Sequence, residues 1–509
     1  MFSMHDSQKL AERIVKGSSI VILFTFLASP LGYFIRVMYS RTLSIEMFGL
    51  FYAIMAILGV FTIFNDLGFG YSISYFVPKY LKKKKHQKVW NLYKYNQIVE
   101  VSMSVVISII LILSSKWLAS NYFKVPGSEN ILYIFIIYFI SNSFLSSINK
   151  FFTGLQQEVN YSSIMFTRLL LSLVFSVLFL LFDSPNVLNF AISWAVANIA
   201  TALIYNFLLH KKNKLIARAV TWDKRLFQLM LNYAVPTLLA TSLHLVIVYT
   251  DTLLLTLFRN LKEVGIYNIV FPLATVSGIF ISPLNKLFLP LVSHLMEGQG
   301  EKVALLTNTI LKIIPLAASY FALFIMMFPS SLVALLFGQK WVGFIETPVI
   351  IFSFGYIISL VSSYLTTVVN GIGKVRQRLK ISSFIVIVNV ALSVKLISMY
   401  GVIGAVIANS VVYLLSIILM GKIIKSEIPF SYPILYYARL LIIGVVIFSL
   451  VRLLRINPVG LYQILLAGFI YTLFFSMLAL LLKLVNKDIW NVFLSNLKTI
   501  RVKNSDSRR

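Results

Sequence analysis

Fourteen long apolar runs, separated by short polar stretches, constrain this chain more than any other feature. Backbone N–H and C=O groups find no partners in hydrocarbon. Each run of about 20 apolar residues therefore reads as a helix that crosses a bilayer. The runs lie near 18–39, 47–67, 92–114, 130–149, 160–182, 188–209, 232–257, 264–283, 304–328, 345–369, 381–398, 401–421, 436–453 and 460–482. The narrowest division is the one between 381–398 and 401–421, which have almost no loop between them. Composition points the same way: 59% of the 509 residues are hydrophobic and only 12% are charged, against about a quarter charged in soluble domains. The chain contains no cysteine, which excludes disulfides and thiolate metal sites. The opening "MFSMHDSQKLAERIVKG" is polar and helix-forming, with no cleavable-signal pattern. The first apolar run is therefore expected to be retained.

A formal net charge of +28 raises the question of nucleic acid, and the placement of the charges answers it. With the N-terminus inside, the inner segments hold 31 Lys and Arg and the outer segments with their helix ends hold 8. Cytoplasmic loops collect positive charge. The asymmetry supports fourteen helices with both termini cytoplasmic, in a plasma or inner membrane, and needs no nucleic acid. The run "KYLKKKKHQK" (79–88) is then a cytoplasmic loop that sets orientation or meets anionic lipid headgroups.

The two halves of the chain resemble each other. "FGLFYAIM" (48–55) matches "VGIYNIVF" (264–271), with Gly49 and Gly265 offset by 216. "TGLQQ" (153–157) matches "NGIGK" (370–374), with Gly154 and Gly371 offset by 217. "WAVANIA" (194–200) matches "AVIANS" (405–410), offset by 211. Three matches in one order at nearly one offset mark an internal repeat. The expected architecture is all-α, with two six-helix lobes related by a pseudo-twofold axis along the membrane normal and two extra C-terminal helices. The divisions are 1–228, 229–427, 428–483 and a basic tail, 484–509. A central cavity between the lobes would open alternately to each side.

Polar residues recur on single faces of these apolar helices. The seventh span carries Thr237, Thr241, His244 and Asp251, and the first carries Thr25, Ser29, Gly32 and Arg36. The third carries Asn96, Glu100, Ser104 and Ser108, and its repeat counterpart, the ninth, carries Asn308, Lys312, Pro315 and Ser319. The fifth carries Arg168, Ser172 and Ser176, and the second ends in "FNDLGFG" with Asp66. Charges at such depth are costly. They read either as cavity and gating residues or as buried ion pairs that fix the packing. Arg36 and Asp251 lie at matched depth, 13 and 14 residues before Gly49 and Gly265.

The fourteen-span plan, "YTDTLLL…VGIYN", "MFGLFYAIMAILGVFTIFNDLGFG", "NGIGKVR" and "YGVIGAVIANSVVYL" resemble the polysaccharide flippases of the multidrug/oligosaccharidyl-lipid/polysaccharide (MOP) exporter superfamily, the Wzx-type translocases of O-antigen and capsule repeat units. The resemblance covers nearly the whole chain. It implies translocation of a polyprenyl-phosphate- or pyrophosphate-linked oligosaccharide from the cytoplasmic to the outer leaflet by alternating access. It also implies a proton or sodium gradient as driving force, no cofactor, membrane lipids around the protein and a polysaccharide polymerase machinery beside it. Arg36, Arg168 and Lys312 would meet the phosphate, with Ser29, Thr241 and His244 beside them. Asp251, Glu100 and Asp66 would gate or couple ions. Arg36 and Asp251 are expected to pair across the outer end of the cavity.

Alternatives remain. The lipid II flippases of the superfamily also have fourteen helices. Its drug exporters usually stop at twelve, so the last two helices count against that reading. A membrane glycosyltransferase or ligase would carry a large external loop, and the longest here is about 15 residues. No ATPase-type phosphate loop or metal-ligand cluster occurs in the sequence, so a secondary transporter, not an enzyme, is expected.

Overall fold

A computed structural model describes residues 4–212, 219–296 and 300–485. Within three of its helices, those spanning 4–42, 224–258 and 277–295, some side chains also lie outside the described set. The described chain is helical throughout. The first helices are α1 (Met4–Thr42), α2 (Ile45–Asn65), α3 (Phe69–Lys82), α4 (His86–Trp117), α5 (Ser128–Gly154), α6 (Glu158–Phe182), α7 (Val187–Lys212) and α8 (Lys224–Phe258). There follow α9 (Leu261–Ala274), α10 (Ser277–Leu295), α11 (Gly300–Met327), α12 (Pro329–Leu336), α13 (Val342–Gly371), α14 (Val375–Lys425), α15 (Ile434–Leu453) and α16 (Gly460–Leu481).

Among the described residues, eleven helices are long and apolar enough to cross a membrane. Gly401, at φ 58° and ψ −131°, breaks α14 into two spans. That is the narrow division expected between 398 and 401. The Glu263 carboxylate accepts from Val402 N–H at 2.9 Å and so starts the second half. With α8 and the α9–α10 pair the series agrees with the fourteen expected spans.

Helix ends depart from the sequence reading where helices outrun the hydrocarbon. The second span continues past residue 67 as α3, and α10 runs to Leu295 through a stretch read as an inner loop. The segment 329–344, read as an outer loop, contains α12 and a short 3-10 turn. A helix whose end is amphipathic need not stop where its apolar run stops, because backbone hydrogen bonding continues in the interface. α3 shows this: Phe69, Ile73, Phe76 and Val77 are buried on one face, while Tyr71, Tyr75, Lys79 and Lys82 are exposed on the other.

The chain forms two compact units, 1–262 and 263–509. The first contains α8, whereas the repeat puts a lobe boundary at 228/229. α8 packs on α2, α3 and α4. The first core is rich in aromatic residues, among them Trp90, Tyr93, Phe151 and Phe152. The second unit has a more aliphatic core around Val292, Leu311, Leu365 and Val368. A separate cluster joins α11 to α15 and α16 through Leu323, Leu440, Tyr471 and Phe475. The outer faces of α15 and α16 expose Ile442, Val446, Leu465 and Phe469, as side chains facing lipid do.

Candidate functional site in the first unit and a groove in the second

The break between α2 and α3 places the first group of charges. Leu67 and Gly68 both take positive φ, 47° and 80°. At Gly68 a Cβ would stand 2.3 Å from the Ala234 carbonyl oxygen, so only glycine fits between the break and α8. Asp66 Oδ1 accepts from Gly68 N–H at 2.7 Å and caps the turn. Its other oxygen, Oδ2, accepts from Lys150 Nζ at 2.7 Å. Lys150 also donates to Glu100 Oε1 at 3.0 Å. Glu100 is only 2% exposed, and its Oε2 accepts from Asn96 Nδ2 at 3.1 Å. Asn96 in turn donates to Ser147 Oγ at 3.1 Å, and Asn65 Nδ2 donates to Ser143 Oγ at 2.6 Å.

One ammonium thus holds two carboxylates, one from the α2–α3 break and one from α4. Buried charges persist when paired and hydrogen-bonded, and this cluster meets that condition. Its formal charge is −1. The sequence reading found Asp66 and Glu100 but assigned Lys150 to a loop. The signal was present: Ser143, Ser147 and Lys150 are spaced four and three apart, one face of a helix. α5 extends to Gly154, so Lys150 is still inside it.

The other expected site residues are distributed as follows. Arg168, on α6, donates to Asn142 Oδ1 at 3.1 Å, while its buried Nε has no acceptor. Ser172, one turn further on, is buried with its hydroxyl unpartnered. The Arg36 guanidinium lies over the Tyr52 ring at 4.5 Å from its centre. Asp251 is 1% exposed on α8, and both it and Arg36 belong to the first unit. The Ser29 hydroxyl is spent on its own helix, donating to Thr25 O at 2.8 Å. Thr241 and His244 fall on α8, but their side chains lie outside the described residues.

Lys312 sits on α11 in the second unit. It is half-buried, and among the described residues it makes no hydrogen bond or ion pair. One turn on begins an open cavity of about 670 Å³ bounded by α11, α13, α14 and α15. Pro315, Ser319, Ile357, Leu414, Tyr437 and Leu441 are among its walls, and almost all of its lining is apolar. Lys312, Pro315 and Ser319 share one helical face. The groove is therefore apolar along its length, and Lys312 lies one turn before its first lining residue on α11.

Known proteins share this helical build. A solved multidrug resistance MATE family transporter of the MOP superfamily, inward-facing, superposes with a TM-score of 0.66 at 15% identity. The match covers 80% of this chain and 95% of that one. The lipid II flippase MurJ, in an inward closed conformation, superposes with a TM-score of 0.65 at 14% identity over 90% of this chain and 97% of its own. An uncharacterized membrane protein of Methanocaldococcus jannaschii, MJ1068, is 25% identical over 488 residues, 90% of this chain and 94% of that protein. Residues 14–296, more than half of the chain, match the family described as "Polysaccharide biosynthesis protein". The fold is shared with these two solved proteins, and the long apolar helices make this a multi-pass membrane protein. The chain belongs to the polysaccharide biosynthesis protein family.

Proposed function

We propose that this protein flips a polyprenyl-phosphate- or pyrophosphate-linked oligosaccharide from the cytoplasmic to the outer leaflet by alternating access of its two repeats. The observation that carries this reading is the apolar groove of the second unit, with Lys312 one helical turn before its first lining residue on α11. Such a substrate joins an anionic phosphate to a long apolar tail. A cation followed by an apolar trough fits that amphiphile. The sugar and phosphate need polar partners that hydrocarbon does not offer. Arg168, with its buried Nε–H lacking an acceptor, is a second phosphate donor suited to planar, bidentate contact.

Both termini lie on the cytoplasmic side of the plasma membrane in this reading, as the charge asymmetry implies. Asp66, Glu100 and Lys150 carry one uncompensated negative charge, which a proton or a sodium ion would neutralise as the driving ion enters. Arg36 and Asp251 close the outer end. Cysteines at positions 36 and 251 of this cysteine-free chain should crosslink in the inward-facing state, and failure to link in any state removes the gate.

The test is transport. Purified protein is reconstituted into proteoliposomes with a fluorescent polyprenyl-pyrophosphate oligosaccharide under a proton or a sodium gradient. Wild type should move the lipid and Lys312→Ala should not. If wild type moves nothing under either gradient, the substrate assignment fails. Lipid II is the second reading, favoured by the match to MurJ over 90% of this chain. Fluorescent lipid II in the same vesicles separates the two.

A further inference from the structure

Gln87, Asn91 and Tyr95 recur every four residues on α4 and face the segment before α8. Gln87 Nε2 donates to Ala219 O at 2.7 Å. Asn91 Nδ2 donates to Thr221 O at 2.7 Å, and Asn91 Oδ1 accepts from Thr221 N–H at 3.3 Å. Tyr95 OH donates to Thr221 O at 2.6 Å and accepts from Asp223 N–H at 2.6 Å. The segment is clamped, and the clamp decides where Trp222 goes. Its ring meets Tyr95 and Phe227 at 4.9 and 5.2 Å, yet the residue remains 65% exposed.

Around this tryptophan the first unit presents cations. Lys82, Lys83, Lys84 and Lys85 are exposed on the turn into α4, and Lys224 and Arg225 are exposed just after Trp222. Lys88 approaches Asp223 at 3.7 Å, which ties the lysine turn to the tryptophan segment. Asp223 is the sole carboxylate in an ion pair there among the described residues, and its Oδ1 is already committed to the N–H of Leu226. An open hollow of about 330 Å³ is lined by Lys84, Lys85, His86, Gln87 and Lys88. Gln87 belongs to both the hollow and the clamp. Exposed Tyr71 and Tyr75 precede the lysines on α3, as amphipathic rings do where a helix leaves the bilayer.

Orientation alone requires lysines at this end of the helices. It does not require a rigid mount that holds an indole out among them. We infer that this surface binds the headgroups of anionic membrane phospholipids. The lysine turn takes the phosphate, and Trp222 inserts at the headgroup level. Polybasic segments gain from each lysine near an anionic surface, and an interfacial indole adds an apolar anchor.

Native mass spectrometry of the purified full-length protein with phosphatidylglycerol or phosphatidylcholine tests this. Wild type should retain phosphatidylglycerol in preference. Each Lys→Gln change at 82–85 should weaken that retention about fivefold, and the Lys→Arg series should keep it. Trp222→Ala should weaken both lipids alike, because it removes an apolar contact and no charge. If the glutamine series does not fold, wild type alone decides: about 1 M salt, where the Debye length is about 3 Å, should abolish the preference. Equal retention of the two lipids, or unchanged retention by a folded glutamine series, overturns the inference. So does release of phosphatidylglycerol by inorganic phosphate at constant ionic strength, which would assign the surface to free phosphate.

Discussion

Two helix pairs related by the internal repeat, α4 with α5 and α11 with α13, solve the same problem differently. Each has a polar stripe on its first helix: Asn96, Glu100, Ser104 and Ser108 on α4, and Asn308, Lys312, Pro315 and Ser319 on α11. In the first pair the charge is matched, for α5 brings Ser143, Ser147 and Lys150 against it. The offset of 217 carries those three positions to Leu360, Tyr364 and Thr367 on α13. Leu360 and Tyr364 are packed into the second core, and Thr367 donates to its own helix at Ser363 O. Those positions supply no countercharge, and Lys312 makes no ion pair among the described residues. A stripe on one helix defines where a charge stands; the facing helix decides whether that charge holds the fold or is available for binding.

Lys150→Met should break the comparison hardest. It strands two carboxylates in the first unit, and losing one partner of a buried pair costs about 3–5 kcal/mol. The detergent-solubilised protein should melt at a clearly lower temperature. Adding Asp66→Asn and Glu100→Gln should restore most of the loss, because an all-neutral site has no stranded charge. A triple variant no more stable than Lys150→Met would mean that the cluster is not the cause.

Backbone strain offers the next contrast. Gly68→Ala combines a left-handed conformation with a clash against α8, worth about 2–3 kcal/mol. Gly373 in the second unit has φ 86°, and a Cβ there would meet nothing within 4 Å. At that position alanine should cost only the conformational term, about 1 kcal/mol. Equal losses in denaturant or thermal unfolding would remove the close approach at Ala234 as an explanation.

Lys312→Met sharpens the comparison from the other side. Stability should change by less than about 0.5 kcal/mol, as for sites without a lost partner. Flipping should slow at least tenfold, equivalent to about 1.4 kcal/mol of transition-state stabilisation. A stability loss as large as that of Lys150→Met would give both lysines the same structural role. A last contrast sets two hydrogen-bonded tyrosines, one from each unit, side by side. Tyr95→Phe removes two hydrogen bonds of the clamp and should cost about 1–2 kcal/mol. Tyr432→Phe, in the second unit, loses one bond to Ile417 O and should cost about half as much. Burial pushes the Tyr432 hydroxyl up to about 12. It remains a neutral donor well below that value, so the loss at Tyr432→Phe should stay constant from pH 6 to about 9.

Much of the site was legible as periodicity. Asp66, Glu100, Arg168 and Lys312 stand out as polar residues recurring on apolar helices. Lys150 did not, because it lies where an apolar run ends and a charge looks like the start of a loop. Gln87, Asn91 and Tyr95 were overlooked for a related reason. They sit on a polar helix end, where a four-residue repeat carries no contrast against its neighbours.

The sequence by itself determined the helical class, the approximate spans and the faces on which polar groups lie. Each of these follows from the cost of exposing backbone or charge to hydrocarbon, a local property of each segment. The tertiary structure decided which faces meet: that one lysine serves two carboxylates, that α2 breaks against α8, and that the segment before α8 is clamped to α4. In a bilayer, the lipid-facing and protein-facing sides of a helix are equally apolar. Burial therefore gives no signal of which neighbour a helix takes, and close packing with interhelical hydrogen bonds must choose it.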